Sequence, residues 1–177
     1  AGLHLYRDAD GWRLDGVEFE FLHPLAGDDR AARPNARSCV LRIRSGRHAV
    51  LLGGDIEAPQ ERALVARAAD RLQADVLLAP HHGSGTSSTP ELLDAVRPRI
   101  ALFQLGYRNR YRHPKAEVVA RYDARGIRVL RSDEAGAITV AIDAAGIAVR
   151  RACEVPRYWS SRRCIDPDIR FVHDRLP

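Results

Sequence analysis

Two short apolar runs, Val76-Leu77-Leu78-Ala79 and Ile100-Ala101-Leu102-Phe103, show no alternation of polar and apolar residues. A run of this length without alternation is a strand covered on both faces, and such strands belong to sheets with layers packed on each side. Between the two runs the apolar period changes to that of a helix. This combination excludes an all-helical fold and points to a layered α/β architecture.

The rest of the chain divides around this centre. Residues 16–22 alternate and predict a half-buried strand. Residues 27–35 are polar, contain Pro34 and form a loop. Residues 38–44 and 48–52 are strands joined across Ser45-Gly46-Arg47, which reads as a hairpin. In 59–72, Leu64, Val65, Ala68, Ala69 and Leu72 share one helical face. A strand over 75–79 follows. Thr89 and Pro90 provide an N-cap and first-turn proline for a short helix over 90–96, which Pro98 stops. After a strand over 100–105, a helix over 114–125 turns Val118, Val119 and Tyr122 inward and ends at Gly126. Strands over 127–130, 137–142 and 147–150 are linked by turns around 133–136 and 144–146. The expected sheet is mixed. Residues 1–152 make up the folded part, and 153–177 form an irregular charged tail.

Composition sets limits on function. With 177 residues the chain is of single-domain size and long enough to bury a core. There is no apolar run of membrane-spanning length. The absence of methionine and the start at Ala1 favour a piece of a longer polypeptide. Three cysteines without a Cys-x-x-Cys pair exclude a disulfide scaffold and a cysteine zinc site. The formal charge is +5, and Lys115 is the single lysine among 28 basic residues. Arginine forks suit phosphate, so an anionic partner is permitted.

Three of the expected strands run into polar residues that can act chemically. The strand over 48–52 leads through Gly53-Gly54 to Asp55. The strand over 75–79 leads through Pro80 to His81-His82-Gly83-Ser84. The strand over 100–105 leads into a loop that closes at His113-Pro114. Neighbouring strands ending at one edge bring such residues together. Carboxylate and imidazole suit zinc or manganese, and the Gly-Ser-Gly-Thr-Ser-Ser stretch offers N–H groups and hydroxyls to an anion. His4, His23, His48 and His173 lack such a setting. Gly83-Ser84-Gly85 is not a serine-hydrolase elbow. No Gly-Lys-Ser/Thr phosphate loop and no Gly-x-Gly-x-x-Gly helix start is present.

Four blocks carry a family resemblance: Asn35-Ala36-Arg37-Ser38-Cys39-Val40-Leu41, Leu51-Leu52-Gly53-Gly54-Asp55-Ile56-Glu57, Ala74-Asp75-Val76-Leu77-Leu78-Ala79-Pro80-His81-His82-Gly83-Ser84, and Asn109-Arg110-Tyr111-Arg112-His113-Pro114. Together they resemble the metallo-β-lactamase-like domain of the ComEC family of DNA-internalisation proteins. The resemblance runs over about residues 15–140. It implies an αββα sandwich, of which this chain is the C-terminal half plus flanking strands. It also implies a divalent metal, zinc or manganese, in a two-metal site. Asp55, His81 and His113 would be ligands, His82 would be catalytic, and Ser84, Thr86, Asn109 and Arg110 would hold phosphate. DNA would be the substrate, with no organic cofactor. The remainder of a longer membrane-channel polypeptide would tether this soluble domain to the bacterial inner membrane.

The chain departs from that pattern in one respect. It contains no His-x-His-x-Asp-His or His-x-Asp-x-Asp-His, so half of the expected metal site is missing. Two functions of different class stay open: half of a metal-dependent phosphodiesterase or nuclease, inactive alone, and a non-catalytic basic module guiding single-stranded DNA at a membrane channel. A truncated remnant is a third. The uncovered half of the sheet is expected to expose an apolar patch.

Overall fold

The computed structural model describes residues 10–25, 33–143 and 146–152. The first part is an antiparallel meander in which β1 (Gly11–Leu14), β2 (Val17–His23), β3 (Val40–Ser45) and β4 (His48–Leu52) pair in chain order. Asp15 and Gly16, at φ 49° and 79°, make the left-handed two-residue turn that suits the twist of a hairpin. From β4 onward the pairing becomes parallel. β5 (Val76–Leu78), β6 (Ile100–Phe103) and β7 (Arg128–Arg131) add one after another. The described residues thus form a seven-stranded sheet in the order β1-β2-β3-β4-β5-β6-β7.

The parallel steps are bridged by α1 (Ala58–Ala68), α2 (Pro90–Val96) and α3 (Ala116–Asp123). Parallel crossovers are right-handed, and these all step in the same direction, so the three helices lie on one face of the sheet. The core shows this layer directly. Leu64 and Ala68 of α1, Leu92, Leu93 and Val96 of α2, and Val118 and Tyr122 of α3 pack with Leu51, Leu77, Ala101 and Phe103 of the strands. The Thr89 cap is present, since its Oγ1 accepts from the Leu92 N–H at 3.3 Å.

The second face is covered differently. A single helical turn, α4 (Ser132–Ala135), leads to a hairpin of β8 (Ile138–Asp143) and β9 (Gly146–Arg151). Its Val140, Ile142, Ile147 and Val149 pack with Val76, Ile100, Leu102 and Leu130. The hairpin packs on the parallel strands and reaches Val50 of β4. The row Trp12, Phe19, Ile43, Val50, paired strand to strand, continues the same face. Trp12 is stacked on Phe19 at 4.7 Å, and both Trp12 and Leu14 are exposed. The described residues therefore form one helical layer, one sheet and part of a third layer.

Several boundaries differ from expectation. The helix expected over 59–72 ends at Ala68, and a 3-10 turn, Ala69–Arg71, returns Leu72 to the core while Ala69 stays exposed. The helix expected over 114–125 begins at Ala116, because Lys115 is extended. The turn expected at 133–136 is the helical turn α4. Strand β1 was not foreseen. The tail over 153–177, with His173, Cys153 and Cys164, lies outside the described residues, and so does His4.

Candidate functional site

β4, β5 and β6 are adjacent and parallel, so their C-terminal ends share an edge. Gly54, at φ 56°, turns the chain after β4 and presents Asp55. A Cβ at Gly54 would sit 2.5 Å from Ser38 Oγ. The Asp55 N–H donates to that same Ser38 hydroxyl at 2.8 Å, which fixes the start of the segment. After β5, a 3-10 turn, Pro80–Gly83, carries His81 and His82 at φ 47° and 54°. Non-glycine residues in this left-handed region store strain, and two in succession aim adjacent imidazoles in different directions.

His82 faces Asp55. Its Nε2 lies 3.5 Å from Asp55 Oδ1, and its Nδ1 lies 2.8 Å from the Gln104 carbonyl oxygen. A carbonyl only accepts, so the hydrogen sits on Nδ1 and the lone pair of Nε2 points at a carboxylate. A cation between these two acceptors, proton or metal ion, reconciles them. His81 faces elsewhere. Its Nδ1 lies 3.3 Å from Glu57 Oε1, near enough for ion pairing but not aligned for a hydrogen bond. Its Nε2 is 3.4 Å from Asn35 Nδ2. Asp55 is thus paired with His82 rather than with His81.

His113 stands between the His81 ring, 6.2 Å away, and the Tyr111 ring, 5.8 Å away and nearly parallel. Its Nδ1 is buried without a hydrogen-bond partner. Burial holds its pKa below the ordinary histidine value, and the positive charge of Lys115 and the neighbouring His81 and His82 add to the effect.

The donor types suit zinc or manganese, but their number does not suffice. Among the described residues no three or more His, Cys, Asp or Glu side chains gather into a group able to hold a metal ion. Glu57 and Asn35 flank His81, which leaves the Asp55–His82 pair as two donors. A catalytic zinc takes three protein ligands, so this segment by itself does not fit the metal centre that the family resemblance implies.

The hydroxyls expected to receive an anion are otherwise engaged. Ser84 Oγ and Thr86 Oγ1 share a hydrogen bond at 3.0 Å, and Thr86 donates to Glu57 Oε1 at 3.0 Å. The buried Ser87 hydroxyl is bonded to the Pro80 and Ser84 carbonyls. The N–H groups of Ser88 and Thr89 donate to Glu61 Oε1 and Oε2 at 2.6 and 2.7 Å. The anion in this cradle is the protein's own. Glu61 is fully buried, and desolvation raises its pKa against the opposing pull of those bonds and of Arg121. Asn109 is committed to its loop: its Nδ2 donates to the His113 carbonyl at 2.9 Å and its Oδ1 accepts from the His113 N–H at 2.8 Å. Of the expected phosphate-holding set, Arg110 keeps an exposed charge.

Sequence reasoning missed Glu61. Its signal was a charge three residues before Leu64, on the apolar face of α1. An open groove of about 730 Å³, lined in part by Leu78, Leu102, Phe103, Leu105 and Ile138, runs from the second face of the sheet to His82.

No family model matches the chain. Over 151 residues it is 38% identical to "Competence protein ComA" of Neisseria gonorrhoeae, covering 85% of this chain and 22% of the relative. Over 129 residues it is 35% identical to "ComE operon protein 3" of Bacillus subtilis, covering 73% and 16%. The chain is homologous to the ComEC family of competence proteins. This ComEC-family region spans about a fifth of the length of the curated relatives it matches. Solved structures similar to it include a protein assigned as a metal-dependent hydrolase from Parabacteroides distasonis, at TM-score 0.47 and 15% identity, covering 72% of this chain and 56% of that one. Another is assigned as a zinc-dependent hydrolase of the metallo-β-lactamase superfamily from Thermotoga maritima, at TM-score 0.35 and 16% identity, covering 60% and 50%. No helix among the described residues is long and apolar enough to cross a membrane.

Proposed function

We propose that this ComEC-family region forms one wall of a metal-dependent phosphodiesterase centre that acts on DNA during internalisation, the opposite wall being contributed by residues upstream. The observation that carries this reading is the Asp55–His82 pair, a carboxylate oxygen and an imidazole nitrogen held 3.5 Å apart at the C-terminal edge of the parallel strands. No hydrolytic step is assigned to this segment alone. The remainder of a longer membrane-channel polypeptide would attach it to the bacterial inner membrane.

The test compares this chain with a longer one that restores the upstream half. DNA cleavage is measured with added manganese or zinc. The long chain is expected to cleave and the short one is not. Asp55→Ala and His82→Ala are expected to abolish cleavage by the long chain with its thermal unfolding unchanged. Equal cleavage by the short chain overturns the half-site reading. Cleavage that survives both substitutions overturns the role of the pair.

A second reading, a non-catalytic module guiding single-stranded DNA at a membrane channel, is favoured by the lack of a three-ligand group among the described residues. A long chain that binds DNA but does not cleave it under any metal condition decides for this reading.

A further inference from the structure

The loop that leaves β6 has features that the Asp55–His82 pair does not require. Over residues 104–115 it contains Arg108, Arg110, Arg112 and Lys115 and no acidic residue. Its two tyrosines, Tyr107 and Tyr111, are 64% and 58% exposed, among the most exposed large apolar side chains of the described residues. Each carries a guanidinium over its ring: Arg108 at 5.2 Å from the Tyr107 centroid, and Arg110 at 4.8 Å from that of Tyr111. His113 is stacked with Tyr111 at an interplanar angle of 14°.

The backbone beneath these side chains is tied down. Asn109 clasps His113 through both ends of its carboxamide. The Asn109 N–H donates to the Gly106 carbonyl, the Arg112 N–H to the Asn109 carbonyl, and Lys115 Nζ to the Tyr111 carbonyl. At the base of the loop, Ser132 Oγ bonds both backbone groups of Leu105. Arg108 and Arg112 occupy the left-handed region, at φ 51° and 54°, where glycine or asparagine carries less strain. The loop therefore spends strain and hydrogen bonds on presenting long cationic and aromatic side chains to solvent from a fixed frame.

Exposed aromatic rings beside arginines on a held backbone are the chemistry that receives unpaired nucleobases, because every base has a face to stack and a phosphate to neutralise. In a duplex those faces are covered by neighbouring bases. We propose that the 104–115 loop is a stacking site for an unpaired nucleic-acid strand, in which bases take the places of the Arg108 and Arg110 guanidinium groups on Tyr107 and Tyr111 and the released guanidinium groups engage phosphates. This rests on the reading that the region meets DNA, and it specifies the strand form that is bound. It places the strand next to His113, 5.8 Å from the Tyr111 ring.

The test measures binding of this chain to fluorescent twelve-nucleotide strands: one of thymidines, one abasic with the same number of phosphates, and a duplex. The thymidine strand is expected to bind about tenfold more tightly than the abasic one, as for stacking of one or two bases. Tyr111→Ala is expected to remove most of that difference, and Tyr111→Trp to retain it. The abasic strand's affinity should be unchanged by either substitution. Arg110→Ala should flatten the salt dependence by about 0.7 in the logarithmic slope for the single strands and by about 0.9 for the duplex. Equal, salt-sensitive affinity of the wild type for thymidine and abasic strands overturns the stacking site and leaves the DNA reading standing. Failure of all three nucleic acids to bind at low salt overturns both. Loss of abasic-strand binding in Tyr111→Ala overturns the assignment of that ring to bases.

Discussion

The loops that follow β5 and β6 leave neighbouring ends of one sheet edge, yet they are built in opposite ways. The first is closed inward. Ser87, Ser88 and Thr89 are buried, their donors satisfied by carbonyls and by Glu61, and Arg121 donates to the carbonyls of Ser87 and Ser88 at 3.0 Å. The second is closed only at its backbone and turns arginine and tyrosine side chains outward. A run of small polar residues after two histidines suggests a surface for an anion, whereas the geometry makes it a support that fixes where His81 and His82 point. The contrast teaches that polarity in a loop does not locate its partner; the partner of a buried polar run is internal.

Replacing Glu61 tests this contrast most severely. Glu61→Ala leaves two buried N–H donors without acceptors, each costing about 1–3 kcal/mol, so a loss of about 3 kcal/mol or more is expected in urea unfolding. Arg110→Ala, at an exposed position, should change the same unfolding free energy by less than about 0.5 kcal/mol. Equal effects from the two substitutions would erase the distinction between the loops.

A finer cut uses Tyr122. Its hydroxyl donates to Ser88 Oγ at 2.8 Å inside the core, where burial pushes the phenol well above its usual range. Tyr122→Phe removes that bond and keeps the ring against Phe103, so a loss of about 1 kcal/mol is expected. A neutral result in thermal unfolding would show that the inward loop is held by Glu61 and not by a wider network.

The smallest expected effect is electrostatic. His113 is held below the ordinary histidine value, so as pH falls through the window between that value and the lower folded one, the unfolded chain takes up the proton first and stability is lost. Lys115→Ala removes one of the charges that disfavour the imidazolium. The His113 midpoint, followed by NMR of its ring protons, should move upward and the window should narrow. A downward shift would contradict the assigned cause.

Much of the layering was legible because burial writes itself into period. β5 and β6 are covered on both faces and read as unbroken apolar runs, and β2 and β3 alternate. β1 was not legible: Gly-Trp-Arg-Leu is four residues long and exposed throughout, and it is held by its pairing with β2, by the Arg13–Glu18 ion pair and by the stacking of Trp12 on Phe19. The apolar face of α1 ran on to Leu72 because a 3-10 turn, with fewer residues per turn, brings that residue back to the core after the helix has ended. At the site, convergence on one edge followed from three strands ending alike. Which histidine meets Asp55 did not, because it depends on the left-handed backbone at His81 and His82, for which residue type gives no signal.

The strand order also bears on how the chain is made. Each strand of the seven-stranded sheet lies beside the one that precedes it in the sequence, so none has to wait for a later segment before finding its neighbour. As the chain emerges during synthesis, the sheet can lengthen at a single edge, and each helix can close over strands that are already in place. Pairing partners are never far apart along the chain, which keeps the entropy of loop closure low at every step. The growing edge at any moment is the newest strand, and the process ends at β7, whose Arg131 is tied by ion pairs to Asp133 and Glu134 of the turn that follows.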